Sequence, residues 1–551
     1  MGENSCEPVI KAAQNGLTVN YKNKTLLSSF DPIAQAERVV KGLQMRDRTL
    51  YFCPSPLFGY GLKALLSQIP SDCAILCTET DEKLFSLSLS SIDKALLKDK
   101  RIAIVNEKNA DSICIFIREN WGPRAFRRIE TVKLSGGWQL DSTAYASMEE
   151  EIRNAFALDW GNAMTISRLG RRFMQNVIRN IGNLDGTMPF TSLSFDGKPV
   201  LVLGAGPSLD PLLDKLGEAG VFCQRGKYVL VCVDTCLSIL RERGIIPDFT
   251  VILESQYWNL RDFYGSRDTG IPAIADLSAY PPSVNILGGP VYYFCTPWTK
   301  LRFLDRLKKS GIVSAFLPPL GSVGLSAVEL SMQLSSAKII AAGIDFSFTL
   351  DKLHARSSPA HLAFNAARNR FSGSFNADAV FCPGVFDTVS KINTPVKSNP
   401  AMRNYRSLFE REFSGNRIFD IEGSGLPLGI NTIKIEDAVN ILTKENSACC
   451  EKETNGIQDD LKGKILNFIK NELALLEDLK NILTGTKPCR QAALEKLLDD
   501  ADYVWAHFPD CAGGEGKRPG ADDVGFLKRV SVETGSFGQL WGLVLNNLMG
   551  N

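Results

Sequence analysis

The stretch of residues 198–219 constrains the fold of this chain more than any other. Five of the six residues from Lys198 to Leu203 are apolar, which is typical of a strand buried on both faces of a parallel sheet. The turn Gly204-Ala-Gly-Pro-Ser208 follows, and leucines then recur at helical spacing towards Ala219. A strand, a glycine turn and a helix in this order predict the start of a βαβ unit.

The same alternation continues through residues 166–445. Further apolar strands are predicted at 228–233, 247–254, 291–295 and 337–343, with a short helix after Asp234 and a longer one at 323–335. Such a series predicts an α/β fold, namely a Rossmann-like, doubly wound central domain whose ligands bind at the carboxyl ends of the strands.

Two regions flank this central domain. Residues 1–165 hold short apolar strands at 49–53, 73–77 and 102–105, separated by helical patterns, and predict a smaller N-terminal α/β domain. Residues 445–458 are polar and predict a linker. Beyond them, residues 446–551 are expected to form a helical C-terminal region, because apolar residues recur at helical spacing from 459 to 498.

Composition narrows the classes of partner and location. The net charge of +1 gives no global attraction to nucleic acid, and no apolar run is long enough to predict a membrane span. The first residues lack the pattern of a signal peptide. The 14 cysteines are scattered, several within apolar strands, and only three histidines are present, so we expect reduced thiols, no zinc site and a cytoplasmic location.

The glycine turn is the first candidate for ligand binding. Gly204 and Gly206 would let a phosphate approach the backbone, Pro207 is tolerated near a helix start, and Ser208 can cap the helix or contact a phosphate oxygen. The alternative is a tight strand-to-helix turn without a ligand. A P-loop is excluded, because no Gly-Lys-Ser/Thr follows the turn.

Other candidates lie at strand ends and helix starts. These are Asp234, Glu254, Gly321, Ser322, Gly343 and Asp345. A carboxylate after the second strand can hold a ribose hydroxyl, and Gly321-Ser322 can contact a phosphate or a base. Each also has an ordinary structural interpretation, as a helix cap or an edge carboxylate.

His354, in the loop after Asp345, is the first candidate for a catalytic base. A neutral imidazole there could accept a proton from a hydroxyl, with His361 as the alternative base, and a solvent-exposed spectator is equally compatible with the sequence. Asp500-Ala-Asp502 is interpreted as a solvated helix face, and no essential metal is expected.

Several of these motifs, taken in order, resemble those of one family. They are Ser28-Ser-Phe-Asp-Pro32, Phe58-Gly-Tyr-Gly-Leu62, Gly204-Ala-Gly-Pro-Ser208, Ile245-Ile-Pro-Asp248, Gly321-Ser-Val323, Gly343-Ile-Asp345 and His354-Ala355. Over residues 25–440 the chain resembles the motility accessory factor (Maf) family of flagellin glycosyltransferases. Its central block is also similar to bacterial sialyltransferases, and to MptE-like 6-hydroxymethylpterin pyrophosphokinases.

The resemblance implies a function. A nonulosonic acid of the pseudaminic or legionaminic type would pass from its CMP donor to Ser or Thr of flagellin, without an essential cofactor. His354 and Asp345 would be the catalytic residues, and the glycine turn would bind the donor phosphate. Two alternatives remain: a pyrophosphokinase that uses ATP and Mg²⁺, and a non-catalytic, nucleotide-dependent flagellin-binding factor. Neither the sugar nor the oligomeric state follows from the sequence.

Overall fold

A computed structural model describes residues 7–195, 197–371, 377–415, 417–444, 460–488, 490–512 and 518–550, so the predicted linker lies outside the described residues. The chain forms two compact units. The first comprises Met1–Arg168 with Phe508–Arg518, and the second comprises Leu169–His507 with Pro519–Asn551. Within the described residues, no helix is long and apolar enough to cross a membrane.

The first unit contains an antiparallel sheet and a four-stranded parallel sheet. The antiparallel strands are β1 (Val9–Ala12), β2 (Leu17–Tyr21) and β3 (Lys24–Thr25). The parallel strands, in the spatial order β6-β5-β4-β7, are β4 (Thr49–Pro54), β5 (Ala74–Glu79), β6 (Ile102–Asn106) and β7 (Arg128–Thr131). The helices are α1 (Pro32–Lys41), α2 (Leu62–Gln68), α3 (Glu82–Ser91), α4 (Ala110–Trp121) and α5 (Ser142–Asn183), which continues into the second unit.

The central strands of this small sheet are apolar because helices cover both faces. Every residue of β4 and β5 is buried. Tyr51 packs in a cluster with Leu62 and Leu65 of α2, whereas its neighbour Phe52 packs in another cluster with Ile113 of α4 and Met148 of α5. Alternate residues of one strand therefore serve two cores.

The second unit contains an eight-stranded sheet in which every neighbouring pair is parallel. Its strands are β8 (Val200–Leu203), β9 (Val229–Val233), β10 (Phe249–Ile252), β11 (Ala273–Asp276), β12 (Val291–Phe294), β13 (Ile339–Ala342), β16 (Ile418–Ile421) and β17 (Asn431–Ile433). A separate hairpin consists of β14 (Phe386–Val389) and β15 (Pro395–Ser398).

The strand order of the large sheet fixes where a ligand can bind. The order is β12-β11-β10-β9-β8-β13-β16-β17, so the chain builds the sheet outward from β8 and then returns to its other side at β13. The direction in which the chain builds the sheet therefore reverses between β8 and β13. The carboxyl ends of these two strands form a topological switch point, which is where open α/β sheets bind their ligands. The predicted Rossmann-like α/β fold is confirmed.

The helices of the second unit cover this sheet and continue to the C-terminal region. They are α6 (Leu209–Glu218), α7 (Leu237–Glu242), α8 (Pro281–Asn285), α9 (Arg302–Ser310), α10 (Val323–Leu334), α11 (Pro359–Ala367), α12 (Ala377–Val380), α13 (Pro400–Glu412), α14 (Ile435–Lys444), α15 (Leu461–Leu483), α16 (Gln491–Asp500) and α17 (Val524–Met549). The last three provide the predicted helical C-terminal region, and they belong to the second unit.

The Asp500-Ala-Asp502 segment differs from the sequence prediction. Asp502 is buried and not part of a solvated helix face. Its carboxylate accepts hydrogen bonds from the backbone amides of Arg302 and Phe303, the first residues of α9. Only Asp500 is partly exposed, and it pairs with the Arg302 side chain. Asp502 therefore supplies the helix cap that the residue before α9, Leu301, cannot provide.

Candidate active site

The loops after β8 and β13 are joined by backbone hydrogen bonds at the switch point. The amide of Gly204 donates to the Ala342 carbonyl at 2.8 Å, and the amide of Gly206 donates to the Gly343 carbonyl at 2.8 Å. The parallel pairing of the two strands thus continues beyond their ends. It places the predicted phosphate turn directly against the Gly343–Asp345 loop.

The glycines of these loops are required by this close approach. A Cβ atom on Gly206 would lie 2.5 Å from the carboxylate of Asp345 and 2.6 Å from the Gly343 carbonyl oxygen. Gly343 has a φ of +68°, and a Cβ there would lie 2.2 Å from the carbonyl oxygen of Gly204. At Gly206 and Gly343, atoms of the opposite loop occupy the position that a Cβ would need. Packing between the two loops therefore suffices to explain why these residues are glycines.

Ser208 and Asp345 connect the same two loops through side chains. The Ser208 amide donates to Asp345 at 2.7 Å, and the Ser208 hydroxyl donates to the other carboxylate oxygen at 2.5 Å. Ser208 therefore does not cap α6 with its hydroxyl. Burial raises the pKa of Asp345, opposed by the bonds from Ser208 and by the charge of Lys391.

Lys391 and Asp420 extend this polar network, and sequence reasoning missed both. Lys391, between β14 and β15, donates to Asp420 at 2.6 Å and to the Ile421 carbonyl at 2.8 Å. Burial raises the pKa of Asp420 to about 6. The signal for Asp420 was its position within the apolar strand Ile418–Ile421, since a carboxylate there needs a buried partner.

His354 lies beside the glycine turn, because the next residue bonds to it. The Ala355 amide donates to the Ala205 carbonyl at 2.9 Å. The Nδ1 atom of His354 is buried and has no hydrogen-bond partner among the described residues. Burial lowers the pKa of this imidazole, which favours the neutral ring at pH 7, and one nitrogen of a neutral ring can accept a proton.

The alternative base, His361, occupies a different position. It lies within α11, and its backbone amide bonds to the hydroxyl of Ser358, which caps that helix.

Asp234 follows β9, which pairs with β8, and Glu254 follows β10, which pairs with β9, so both lie at strand ends as predicted. Asp234 is buried, and its carboxylate accepts bonds from the Thr235 amide at 2.8 Å and from the Asn259 side chain at 2.7 Å. Both carboxylate oxygens thus have protein partners. Glu254 is exposed, and one of its carboxylate oxygens accepts from the Gln256 amide.

A carboxylate cavity adjoins these residues. Its volume is about 470 Å³, and its lining consists of Glu254, Gln256, Trp258, Asn259, Arg261 and Asp262. Burial and the nearby charge of Asp234 raise the pKa of Asp262 to about 7. Asn259 bridges the two carboxylates, since its amide nitrogen also lies 3.2 Å from Asp262. Sequence reasoning missed Asp262 because it lies in a short 3-10 helix, Tyr257–Phe263, which has no strand or α-helix pattern.

Gly321 and Ser322 precede α10, as expected. Gly321 has a φ of +70°, and Ser322 makes no side-chain cap bond. A Cβ on Gly324 would lie 3.6 Å from Ile344, so the first turn of α10 lies over the Gly343–Asp345 loop. A helix start, with its unpaired amides, therefore lies next to the switch point. The described residues contain no cluster of three or more His, Cys, Asp or Glu side chains arranged to hold a metal ion.

Comparison with known proteins agrees with this architecture. Residues 171–351 match the family model described as 6-hydroxymethylpterin diphosphokinase MptE-like. An uncharacterized protein of Treponema pallidum (strain Nichols) is 28% identical, with 99% of this chain and 96% of that protein covered. The structure of a Maf glycosyltransferase from Magnetospirillum magneticum AMB-1 is similar with a TM-score of 0.50 and 14% identity, covering 99% of this chain and 90% of the other.

The family model matches one segment of the chain by sequence, and the solved structure matches the whole chain by fold. The first part of the second unit, residues 171–351, has the sequence features of MptE-like domains, and the whole chain shares the fold of a Maf glycosyltransferase. The resemblance to Maf proteins with an MptE-like central domain is thereby confirmed.

Proposed function

We propose that this protein is a glycosyltransferase that moves a nonulosonic acid from a CMP-activated donor to Ser or Thr of flagellin. The observation that carries the proposal is His354, a neutral imidazole with an unpartnered buried nitrogen, on a loop bonded to the glycine turn at the switch point. The glycosyltransferase activity in the name of the structural neighbour supports the reaction class.

The proposed reaction uses His354 as general base. The imidazole accepts the proton of the acceptor hydroxyl, while the acceptor oxygen forms a bond to the anomeric carbon of the donor. The bond from that carbon to the phosphate oxygen breaks, and CMP leaves with the electron pair. The sugar passes through an oxocarbenium-like state, as in other glycosyl transfers.

The donor phosphate needs hydrogen-bond donors that the protein has not already used. The amides of Gly204, Gly206 and Ser208 all donate to the opposite loop. We therefore assign the phosphate to the start of α10, where Ser322 and the first-turn amides are available and the helix dipole is positive. The glycine turn and Asp345 would then form the floor of the site.

A transfer assay tests this function. Purified protein, flagellin and a CMP-activated nonulosonic acid should give flagellin whose intact mass increases by one sugar residue, also in the presence of EDTA. His354→Ala should slow transfer by about 10²–10⁴-fold, the range of general-base catalysis. His361→Ala is the matched control and should leave the rate within about twofold.

The pH dependence follows from the buried imidazole. A general base acts in its neutral form, and burial places the pKa of His354 below its ordinary value of 6.5. The rate should therefore hold as the pH falls from 8 to 6.5 and decline only at lower pH. An activity lost already between pH 8 and 7, or full activity of His354→Ala, would remove His354 from the mechanism.

A second candidate is a diphosphokinase, and one observation favours it. The family model that matches residues 171–351 carries that activity in its name. Glu254 and Asp262 line one cavity, where carboxylates could bind the Mg²⁺ of a nucleoside triphosphate. Loss of all activity in EDTA, restored by Mg²⁺, would support this function. Binding of nucleotide and flagellin without any transfer would instead support the non-catalytic factor.

The cytoplasmic location stays a prediction. All ten cysteines in the described part of the chain are free thiols, which is the pattern expected in a reducing compartment.

A further inference from the structure

We propose a second ligand site, in the first unit, for a small organic anion that carries phosphate or carboxylate groups. The site is a cavity of about 620 Å³ at the amino-terminal edge of the β6-β5-β4-β7 sheet. Its lining includes Arg48, Arg101, Arg124, Arg127 and Trp160. The cavity is independent of the proposed transferase function, because all its lining residues belong to the first unit.

Three guanidinium groups converge on one tryptophan ring. The central carbon of Arg127 lies 4.6 Å from the Trp160 ring centroid, and those of Arg124 and Arg48 lie at 5.7 and 5.8 Å. The ring itself is fixed, because its Nε1 donates to the Phe126 carbonyl at 2.7 Å. Solvent screens part of the repulsion between these like charges, because Arg48 and Arg127 are exposed, and an anion among the three groups would remove the rest.

None of the three groups forms an ion pair in the described part of the chain, and Asp159, whose charge acts on Arg124, is itself paired with Arg118 at 3.0 Å. Arg48, Arg124 and Arg127 form no ion pair and no side-chain hydrogen bond there, and the Nε of Arg124 is buried without a partner. A buried, unpaired donor on a charged group is costly. An oxyanion in the cavity would satisfy it and neutralise the cluster.

The other charged residues of the cavity leave its character basic. Arg101 pairs with Asp99 at 3.0 Å and is thereby neutralised. Two carboxylates, Asp72 and Asp510, also line the cavity, so the three guanidinium groups around Trp160 outnumber them.

Backbone strain points to the same residues. Arg48 has a φ of +47° and Arg124 a φ of +62°, a conformation that costs a non-glycine residue about 1 kcal/mol or more. Such strain persists where the surrounding structure fixes the residue, and it is frequent at ligand sites. Two of the three arginines whose guanidinium groups face the Trp160 ring thus have a strained backbone.

The cavity fits a small molecule better than a nucleic acid. Its volume lies within the usual range for small-molecule pockets, and only a compact group can reach the buried Nε of Arg124. A nucleic acid would need an extended basic surface along its backbone, whereas the chain has a net charge of only +1. Arginine recognises phosphate and carboxylate with the same forked geometry, so both remain candidates for the anionic group.

Calorimetry on the full chain tests this site. Inorganic pyrophosphate and citrate serve as the probes, at about 50 mM salt to limit screening. We expect at least one to bind, Arg127→Gln to weaken it tenfold or more, and Arg128→Gln to change it less than twofold. Arg128 is the matched control, because it is adjacent, exposed and bonded to the Asp47 carbonyl outside the cavity lining. The probe with the higher affinity shows whether the site prefers a phosphorylated or a carboxylated ligand.

Several results would overturn the site. These are no binding of either probe to the unmodified protein, equal weakening by Arg127→Gln and Arg128→Gln, or binding of a single-stranded oligonucleotide in place of both probes. Arg48→Gln gives a second test if Arg127→Gln fails to fold. His354→Ala should leave probe affinity unchanged, so failure of the transferase proposal and failure of this site are distinguishable.

Discussion

At Gly206 the backbone of one loop lies against the carboxylate of another, and no side chain fits between them. The nearest atoms to a Cβ at this position would be the Asp345 carboxylate at 2.5 Å and the Gly343 carbonyl oxygen at 2.6 Å. Because Asp345 is held by two bonds to Ser208, it cannot move away without loss of those bonds. A substitution here therefore strains the fold as well as any ligand.

Gly206→Ala should lower the free energy of unfolding by about 1–3 kcal/mol, the usual effect of an atom forced into a packed interior. Denaturant titration measures this change. The matched control is Gly217→Ala in α6, where a Cβ would meet nothing nearer than 3.9 Å. It should be neutral or stabilising by up to about 1 kcal/mol, because alanine favours a helix. Equal stability of the two variants would show that the loops separate more easily than the structure indicates.

Single residues of the site differed in how far the sequence revealed them. His354 was identifiable because only three histidines exist, and the structure places it beside the glycine turn. The bonds that use the amides of Gly204 and Gly206 could not be predicted, since they depend on which strand pairs with β8. Lys391 was missed for a related reason: its partner Asp420 is 29 residues away, and only the tertiary fold brings the hairpin to that strand.

At the scale of elements, the cap of α9 shows how a distant segment completes a helix. The first residues of α9 have no capping side chain from Leu301, and Asp502 supplies one through space. Helix α9 is further tied to α15 by Arg306, which donates two bonds to the buried Glu472 at 2.7 and 2.9 Å. The beginning of α9 thus depends on residues about two hundred positions later in the chain.

Asp502→Ala should lower the free energy of unfolding by about 1–2 kcal/mol, since it removes a cap and leaves two amides without an acceptor. Asp502→Asn keeps one acceptor oxygen and should recover part of the loss. Asp500→Ala is the control, because it removes only a partly exposed ion pair with Arg302, usually worth less than about 1 kcal/mol. Thermal unfolding measures the stability of the three variants. A larger effect at Asp500 than at Asp502 would contradict the assigned cap.

The elements themselves were predictable where they were long or fully apolar. The strand before the glycine turn and the helix after it agree with β8 and α6, because a buried parallel strand and an amphipathic helix each leave a clear pattern. Strand β11, Ala273–Asp276, was missed because four residues ending in an aspartate have no periodicity of their own. Its strand conformation comes from pairing with β10 and β12 on either side.

At the scale of the whole molecule, the C-terminal helices are part of the second unit and not an appendage beyond a linker. The fully buried Phe303 of α9 contacts the rings of Phe468, Tyr503 and Trp541 at centroid distances of 5.9, 4.9 and 6.4 Å. All three partners lie beyond residue 460. The sequence predicts helices in this region but not what they pack against. The polar residues 445–458, which precede these helices, carry no information on which part of the second unit the helices contact.

Truncation after Lys444 should therefore destabilise the second unit. The shortened chain would expose the Phe303 face of α9, lose the Asp502 cap and leave Arg306 without Glu472. Burial of one large aromatic side chain stabilises by about 1.5–3 kcal/mol, so loss of this cluster together with the cap would remove much of the stability of a typical domain. We expect the truncated protein to aggregate or to unfold well below the unfolding temperature of the full chain.

Coexpression of residues 1–444 with residues 460–551 is the control. It should restore a complex that unfolds near the unfolding temperature of the full chain, because the aromatic contacts do not require the intervening residues. If the truncated chain alone proved monomeric and as stable as the full chain, the C-terminal helices would be dispensable for the fold.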